Sequence, residues 1–261
     1  MDQPILVAKA DGTHTITFNR PDKLNAFNER MNLDIQAALE AADADPSCRA
    51  LLITANGRAF TAGQDLSAIK QGGRGDTRDT LERLYNPIIK RIATFRMPVV
   101  CAVNGIAAGA GLNIALGCDI VLAGRSAKFL QPFSKIGLVP DAGGTWFLPR
   151  LVGSARARAL MLLAEQITAE QAESYGLIWR VVDDDKLHDE AKALAARLAA
   201  GPTRAYAAIK QALHASESNS LAVQLDLERD LQVRLSTEPD NREGILAFLE
   251  KRSPKYTGRG S

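Results

Sequence analysis

The alternation of apolar and polar positions changes in character along this 261-residue chain. Up to about residue 150, short β-rich apolar runs alternate with stretches of helical periodicity, which predicts right-handed crossover connections and mostly parallel sheets. The predicted strands cover residues 5–9, 14–19, 50–54, 98–103 and 119–123. The predicted helices run from a cap at Asn28 to about residue 44, over residues 79–95, and from about Ala110. Asp11-Gly12 lies between the first two strands and predicts a hairpin.

After residue 154 the pattern is mainly helical. Thr168 and Gln171 have the spacing of a capping box, which predicts a helix start. One short strand is predicted near residues 178–182. Further helices are predicted at about residues 184–199, 203–216, 220–236 and 240–250. These patterns predict an α/β core followed by a helical part that packs on the core or on a neighbouring subunit.

Composition narrows the choice of function. Hydrophobic residues make up 46% of the chain and charged residues 24%, as in ordinary globular proteins. A net charge of +2 and an aromatic content of 5% do not favour a nucleic-acid partner. No apolar run approaches the roughly 20 residues of a membrane span, and no leader pattern opens the sequence. Cys48, Cys101 and Cys118 form no C-x-x-C pair, so we expect reduced thiols in a cytosolic protein.

Histidine is scarce where the glycine-rich segments lie. His14, His188 and His214 are the only histidines, and none falls between residues 15 and 187. The chain also contains no G-x-S-x-G elbow, no H-E-x-x-H helix and no Walker A loop. These absences disfavour a hydrolase triad and a zinc site, and no metal site is predicted.

Two glycine-rich segments, 60–66 and 104–111, each join an extended stretch to a helix start. Small residues let the backbone approach a ligand closely, and the first amides of a helix have no partner within the helix. Two such N–H groups directed at one oxygen would form an oxyanion hole. The alternative is close helix–strand packing by small residues. The second segment does not have the glycine spacing of G-x-G-x-x-G, so nicotinamide binding is set aside.

A third segment, 133–146, carries an acidic residue among apolar neighbours. Asp141 follows Pro140 and precedes a pair of glycines. Its carboxylate could cap the next helix. In a closed apolar site, however, desolvation would raise its pKa and suit it to proton transfer.

Four motifs in order resemble the crotonase superfamily, the enoyl-CoA hydratase/isomerase family, over nearly the whole chain. They are N-R-P-D-K-L-N-A at 19–26, F-x-A-G-x-D-L at 60–66, A-V-N-G at 102–105 and P-x-A-G-G-T at 140–145. Within that superfamily, further segments are similar to the 1,2-epoxyphenylacetyl-CoA isomerases of phenylacetate degradation, which form oxepin-CoA. Those segments lie at 85–87, 133–135, 176–182, 224–230 and 251–254.

The resemblance implies a fold and an assembly. The expected fold is α/β, a crotonase-like spiral of β-β-α units with a helical C-terminal trimerisation region. The expected division is a core at 1–195 and an oligomerisation region at 196–261. The family commonly forms trimers and hexamers, so a homotrimer or a dimer of trimers is expected. The substrate would be an acyl-CoA thioester; no cofactor is required, because coenzyme A is part of the substrate.

The resemblance also implies site residues. The two oxyanion-hole N–H groups would come from the backbone of Gln64 and Ala110. Asp141 lies where several isomerases of the family keep an aspartate. A basic C-terminal cluster either is solvated or reaches the nucleotide end of coenzyme A; its members are Lys251, Arg252, Lys255 and Arg259. The residues expected to contact coenzyme A are Lys23, Leu24, Ala26, Ala62, Gln64, Asp65, Leu66 and Gly109.

Two departures from the family pattern bear on the reaction. The glutamates with which hydratases activate water fall on Asn113 and Phe133, neither of which can act as a base. The sequence therefore predicts an isomerase that stabilises a thioester enolate and moves a proton with Asp141. A 2-enoyl-CoA hydratase with relocated catalytic groups and a non-catalytic CoA-thioester-binding protein are the alternatives. Pocket-lining residues are expected in the region 70–90.

Overall fold

The computed structural model describes residues 3–67 and 76–258. The strands are β1 (Ile5–Ala10), β2 (Thr13–Phe18), β3 (Ala50–Ala55), β4 (Ala59–Thr61), β5 (Val99–Val103), β6 (Ile106–Ala108), β7 (Ile120–Gly124), β8 (Lys128–Leu130), β9 (Ile167–Thr168) and β10 (Arg180–Val182). The helices are α1 (Glu29–Ala44), α2 (Thr77–Thr80), α3 (Asn86–Thr94), α4 (Ala110–Leu116), α5 (Gly144–Leu163), α6 (Ala169–Ser174), α7 (Leu187–Ala199), α8 (Thr203–Ser216), α9 (Leu221–Ser236) and α10 (Pro239–Leu249).

The larger sheet has six strands in the order β1-β2-β3-β5-β7-β10. The β1–β2 pair is antiparallel and forms the hairpin predicted at Asp11 and Gly12, both of which have positive φ. The remaining neighbours pair in parallel, as the alternation of strands and helices predicted.

Helices cover both faces of this sheet. Successive side chains of a strand point to opposite faces. On β3, Leu52 faces a cluster that includes Leu187 and Ala191 of α7. Its neighbours Leu51 and Ile53 belong to the main core instead, with residues of α1 and α3. Every residue of β3 is therefore buried, which explains why this strand is an unbroken apolar run in the sequence.

A second, smaller sheet carries the site. Its order is β4-β6-β8-β9, and β4, β6 and β8 run parallel. Each of these three strands follows a longer strand of the first sheet, so successive β-β-α units place one strand in each sheet. This arrangement confirms the expected crotonase-like spiral. The short strands themselves were not predicted, because three residues are too few to show a periodic pattern.

The helical C-terminal part begins and ends close to the predicted residues. Thr168 and Gln171 form the predicted capping box at the start of α6. The predicted helix 79–95 contains a π-helical turn, Leu81–Tyr85, between α2 and α3. Residues 68–75, which include part of the predicted pocket region 70–90, lie outside the described residues. Within the described part of the chain, no helix is both long and apolar enough to span a membrane.

Candidate active site

The carboxyl ends of three parallel strands meet at one edge of the smaller sheet. β4 pairs with β6 through Ala59 and Ile106, and β6 pairs with β8 through Ala108 and Leu130. The chain leaves β4 toward Gln64, β6 toward Ala110, and β8 toward Phe133. Parallel pairing therefore brings three segments that are distant in sequence to the same place. Clefts beside the carboxyl ends of parallel strands are common binding sites in α/β proteins.

The hydrogen bonds made by the residues on either side of Gln64 leave its own N–H group without an acceptor in the described part of the chain. Phe27 donates to the carbonyl of Gly63 at 2.7 Å and accepts from the N–H of Asp65 at 2.8 Å. In such a parallel bridge the intervening residue, Gln64, directs its own N–H away from Phe27. Among the described residues this N–H has no hydrogen-bond acceptor.

Gly109 brings the second loop against the first. A Cβ on Gly63 would lie 3.0 Å from the carbonyl oxygen of Ala108 and 3.9 Å from the Cα of Gly109, so the two loops are in contact. Gly109 has φ 57° and ψ −132°, a conformation open essentially to glycine alone. It turns the chain so that Ala110 begins α4, where an N–H has no acceptor within the helix. Both predicted donors therefore lie free on adjoining loops.

Asp141 lies in the loop before α5 with a desolvated carboxyl. Burial raises the pKa of the Asp141 carboxyl from 3.8 to about 6. Its Oδ1 atom has no hydrogen-bond partner in the described part of the chain. Helix α5 begins after Gly143 without a side-chain cap, so the carboxyl does not serve as the cap that the sequence left open. A carboxyl with a pKa near neutrality can both take up and return a proton.

Asn113 fixes the Asp141 loop to α4. Its Nδ2 donates to the carbonyl of Asp141 at 2.8 Å, and its Oδ1 accepts from Nε2 of Gln131 at 2.6 Å. Asn113 is fully buried, and a Cβ on Gly144 would clash with its amide. Since Asn113 and Ala110 are three residues apart on one helix, their side chains lie on the same face. The loop of Asp141 is thus held beside the loop of Ala110.

Phe133 supplies an apolar wall. Its side chain is buried, and its Cζ would lie 3.7 Å from a Cβ on Gly109. Only Gln131 and Pro132 separate Phe133 from the end of β8. The ring of Phe133 therefore lies beside the second glycine loop. The two positions on which the resemblance places the hydratase glutamates therefore carry a structural amide and an aromatic ring.

The loop 20–27 forms one side of the predicted coenzyme A surface. Asn25, which is fully buried, donates to the carbonyls of Asn56 at 2.9 Å and Ala59 at 2.8 Å. Arg20 donates to the carbonyl of Ala26 and pairs with Asp65 at 3.1 Å. Ser67 and Arg20 lower the pKa of Asp65, with the bond from Ser67 the larger cause.

The predicted coenzyme A contacts are brought to neighbouring loops. Lys23, Ala62, Gln64 and Leu66 are exposed, whereas Ala26 and Gly109 are buried. Leu24 is half-buried with φ 50°, at the end of a 3₁₀ turn, and accepts from the N–H of Ala62 at 2.9 Å. This bond joins loop 20–27 to the first glycine segment. Sequence reasoning did not single out Asn25 or Arg20 as members of this site, although both lie within the first motif.

The basic C-terminal segment is tied to its own chain. Arg252 pairs with Glu243 at 2.6 Å and with Glu250 at 2.6 Å. The backbone N–H groups of Thr257 and Gly258 donate to Asp240. Contacts with α10 and Glu250 therefore hold the segment in place, although residues 251–255 are exposed to solvent. Arg259, the last member of the predicted cluster, lies outside the described residues.

Taken together, the geometry offers two free backbone donors and one half-buried carboxyl with a desolvated oxygen. The donors can stabilise negative charge on an oxygen placed between the two glycine loops, and Asp141 can exchange a proton with an adjacent atom. Across residues 3–67 and 76–258, no group of three or more His, Cys, Asp or Glu side chains is placed to hold a metal ion.

Comparison with known proteins gives a consistent result. The enoyl-CoA hydratase/isomerase family matches residues 8–259. A 1,2-epoxyphenylacetyl-CoA isomerase from Escherichia coli K12 is 51% identical over 95% of this chain and 96% of its own. A "probable enoyl-CoA hydratase" from Rhodobacter capsulatus is 48% identical over 96% of both chains. The crystal structure of an enoyl-CoA hydratase from Polaromonas sp. JS666 superposes with a TM-score of 0.90 at 35% identity, covering 97% of this chain and 99% of the other.

Proposed function

The chain belongs to the enoyl-CoA hydratase/isomerase family, and we propose that it is an acyl-CoA isomerase that works through a stabilised thioester enolate. Its proposed substrate is 1,2-epoxyphenylacetyl-CoA, a 3-enoyl-CoA that is converted to the 2-enoyl isomer, or both. The Escherichia coli relative with the isomerase name supports the first substrate.

The observation that carries this proposal is the environment of Asp141. Its carboxyl has a pKa raised by burial to about 6 and an unpartnered Oδ1, in a loop fixed beside Ala110. Hydration in this family needs a pair of carboxylates. Here the two corresponding positions are Asn113, whose amide is bonded to the Asp141 carbonyl and to Gln131, and Phe133, which is apolar. A single carboxyl suits removal and return of one proton.

In the proposed mechanism the thioester oxygen accepts hydrogen bonds from the N–H groups of Gln64 and Ala110. The Asp141 carboxylate removes a proton from the carbon next to the thioester, and the electron pair of that C–H bond moves onto the thioester oxygen. For a 3-enoyl thioester, Asp141 then returns the proton to the fourth carbon, and the double bond forms between the second and third carbons. For a ring epoxide, the same stabilisation assists opening and expansion of the ring.

Each catalytic group makes a contribution of expected size to the reaction rate. One oxyanion-hole donor contributes roughly 3–4 kcal/mol to transition-state stabilisation. Proton transfer by a positioned carboxyl contributes about 10²–10⁴ in rate. This chemistry requires no metal and no redox cofactor, because the thioester itself is the electron acceptor.

We also propose that the enzyme is located in the cytosol.

We assign coenzyme A to the surface formed by loop 20–27 and the two glycine segments. The residues assigned are Lys23, Leu24, Ala26, Ala62, Gln64, Asp65, Leu66 and Gly109.

We also propose that the chain forms a homotrimer or a dimer of trimers through residues 196–261. Large apolar side chains on α8, α9 and α10 are exposed in the single chain, among them Leu221 at 75%, Phe248 at 82% and Leu249 at 70%. Exposed apolar clusters of this extent are typical of protein interfaces. Burial of these side chains between subunits would remove them from water.

The rival function is a 2-enoyl-CoA hydratase, which the name of the Rhodobacter relative favours. Steady-state kinetics on the purified enzyme separate the two. We expect turnover of 1,2-epoxyphenylacetyl-CoA or a 3-enoyl-CoA, with slow or undetectable hydration of crotonyl-CoA followed by absorbance. Efficient hydration with negligible isomerisation would reverse the assignment. Absence of any turnover, with retained acyl-CoA binding, would favour a non-catalytic binding protein.

A further inference from the structure

Tyr85 has a buried hydroxyl with no hydrogen-bond partner. It is the last residue of the π-helical turn Leu81–Tyr85, and its side chain is 1% exposed. Among the described residues, nothing accepts from or donates to its hydroxyl oxygen. Buried polar groups in native proteins are nearly always paired with protein, water or ligand. Single π-helical turns within helices occur frequently at functional sites.

The ring of Tyr85 packs against Phe27, whose backbone is hydrogen-bonded to the first glycine loop. Its centroid is 6.2 Å from that of Phe27, at an interplanar angle of 62°. Phe27 is the residue whose backbone bonds to Gly63 and Asp65 on either side of Gln64. Phe27 therefore connects Tyr85 to Gln64, the proposed donor of the oxyanion hole.

The helix that follows Tyr85 also contacts the Asp141 loop. Ile89 lies one turn beyond Tyr85 on α3, and its Cγ2 would be 3.3 Å from a Cβ on Gly143. Gly143 is two residues from Asp141. Residues four apart share a helix face, so Tyr85 and Ile89 lie on the same side of this segment, next to Phe27 and Gly143 respectively.

The electrostatics of Tyr85 agree with this position. Burial raises the pKa of the Tyr85 hydroxyl well above its ordinary value, and the charges of Asp141 and Asp65 raise it further. The Asn32 side chain approaches closely enough to lower that pKa, but not in hydrogen-bonding geometry, and its Oδ1 is also unpartnered. Tyr85 therefore stays protonated and can donate a hydrogen bond to a neutral oxygen.

We propose that the Tyr85 hydroxyl is a specificity-determining group of the acyl pocket, which donates a hydrogen bond to an oxygen atom carried by the acyl group. This inference rests on the proposed function, because it assumes an acyl chain that extends from the glycine loops past Asp141. The ring oxygen of an epoxide, or of the expanded ring, is an acceptor of the required kind. A site that offers a buried hydrogen bond discriminates against analogues that lack the matching atom.

The test compares two stable ligands, phenylacetyl-CoA and 2-hydroxyphenylacetyl-CoA, which differ by one oxygen on the ring carbon beside the side chain. Dissociation constants are measured by calorimetry for wild type, Tyr85→Phe and, as a matched control, Tyr175→Phe. Tyr175 follows α6, its ring packs against Arg156 of α5, and it is not among the residues assigned to the site. We expect wild type and the control to bind the hydroxylated ligand about 3–10 times more tightly, the usual effect of one hydrogen bond. In Tyr85→Phe that preference should disappear.

Thermal stability distinguishes a structural role. Removing an unpartnered buried hydroxyl should leave the melting temperature of Tyr85→Phe unchanged or raise it. An equal preference in wild type and Tyr85→Phe, or no preference in wild type, would overturn the inference, and the wild-type comparison stands even if the variant does not fold. A lowered melting temperature with both ligands equally weakened would assign the hydroxyl to the fold instead. Failure of wild type to bind either thioester would refute the proposed function itself.

Discussion

Replacement of Asp141 by asparagine should separate activity from stability. The Asp141→Asn side chain has nearly the same shape but cannot take up a proton. Because acid–base groups contribute about 10²–10⁴ in rate, isomerisation should fall by at least about a hundredfold while acyl-CoA binding persists. In wild type, kcat/KM should fall about tenfold per pH unit below about pH 6, the pKa of the buried carboxyl.

The same substitution should stabilise the protein at neutral pH. The pKa of Asp141 rises from 3.8 to about 6 on burial. Each unit of pKa shift corresponds to about 1.4 kcal/mol, so ionising this carboxyl costs about 3 kcal/mol more in the native protein than in the unfolded chain. Because the native pKa is the higher one, the carboxyl's favourable contribution is complete below pH 3.8 and is lost as the pH rises through about 6.

Thermal unfolding of wild type and Asp141→Asn across pH measures that difference directly. Above pH 7 the variant should melt at a higher temperature, by roughly 2–4 °C for each kcal/mol gained. Near pH 4 the difference should shrink to less than about 1 kcal/mol. Near-normal turnover by the variant would remove Asp141 from its proposed role. A variant that is less stable than wild type at pH 8 would refute the claim that its carboxyl is desolvated.

Three further predictions concern other parts of the molecule. Ala110→Pro deletes one proposed oxyanion donor and should lower the isomerisation rate by about 10²–10³, whereas Ala110→Gly, which keeps the N–H, should retain most activity; equal turnover by both folded variants would exclude this amide. Asn113→Glu removes the amide donor to the Asp141 loop, so it should lower the unfolding free energy by about 1–3 kcal/mol without restoring hydration of crotonyl-CoA. Its combination with Phe133→Glu should give weak hydration at best and reduced isomerisation; fast hydration by the single variant would contradict this reasoning. Phe248→Glu places a charge on the exposed apolar face of α10 and should shift the oligomer toward monomers in analytical ultracentrifugation; an unchanged mass would place the interface elsewhere.

Much of the larger sheet could be predicted from the sequence because its signals are local. The apolar run at 50–54 and the Asp11-Gly12 hairpin each lie within a few residues, and both are present in the structure. Strands β4, β6 and β8 contain three residues each, and their existence depends on pairing between distant segments. Local periodicity carries no information about such pairing.

The same distinction applies to the candidate site. Motif resemblance singled out Gln64, Ala110 and Asp141, but only the parallel pairing of β4 with β6 brings the two glycine loops into contact. Asn113 was interpreted only as a missing base. Its role in tying the Asp141 loop to α4 depends on a contact across 28 residues of sequence. Tyr85 likewise stands in an apolar helical pattern, and its unpartnered hydroxyl is evident only in three dimensions.

Exchange of the acidic proton of a thioester tests enolate formation most directly. Phenylacetyl-CoA carries hydrogens on the carbon next to the thioester and has no enoyl double bond to hydrate. In D₂O, wild-type enzyme should catalyse their replacement by deuterium, followed by NMR, and Asp141→Asn should reduce that rate by at least about a hundredfold. Two results would contradict the proposal that Asp141 removes this proton to form a stabilised thioester enolate. They are absence of exchange in a wild-type enzyme that binds the thioester, and an exchange rate in the variant equal to that of wild type.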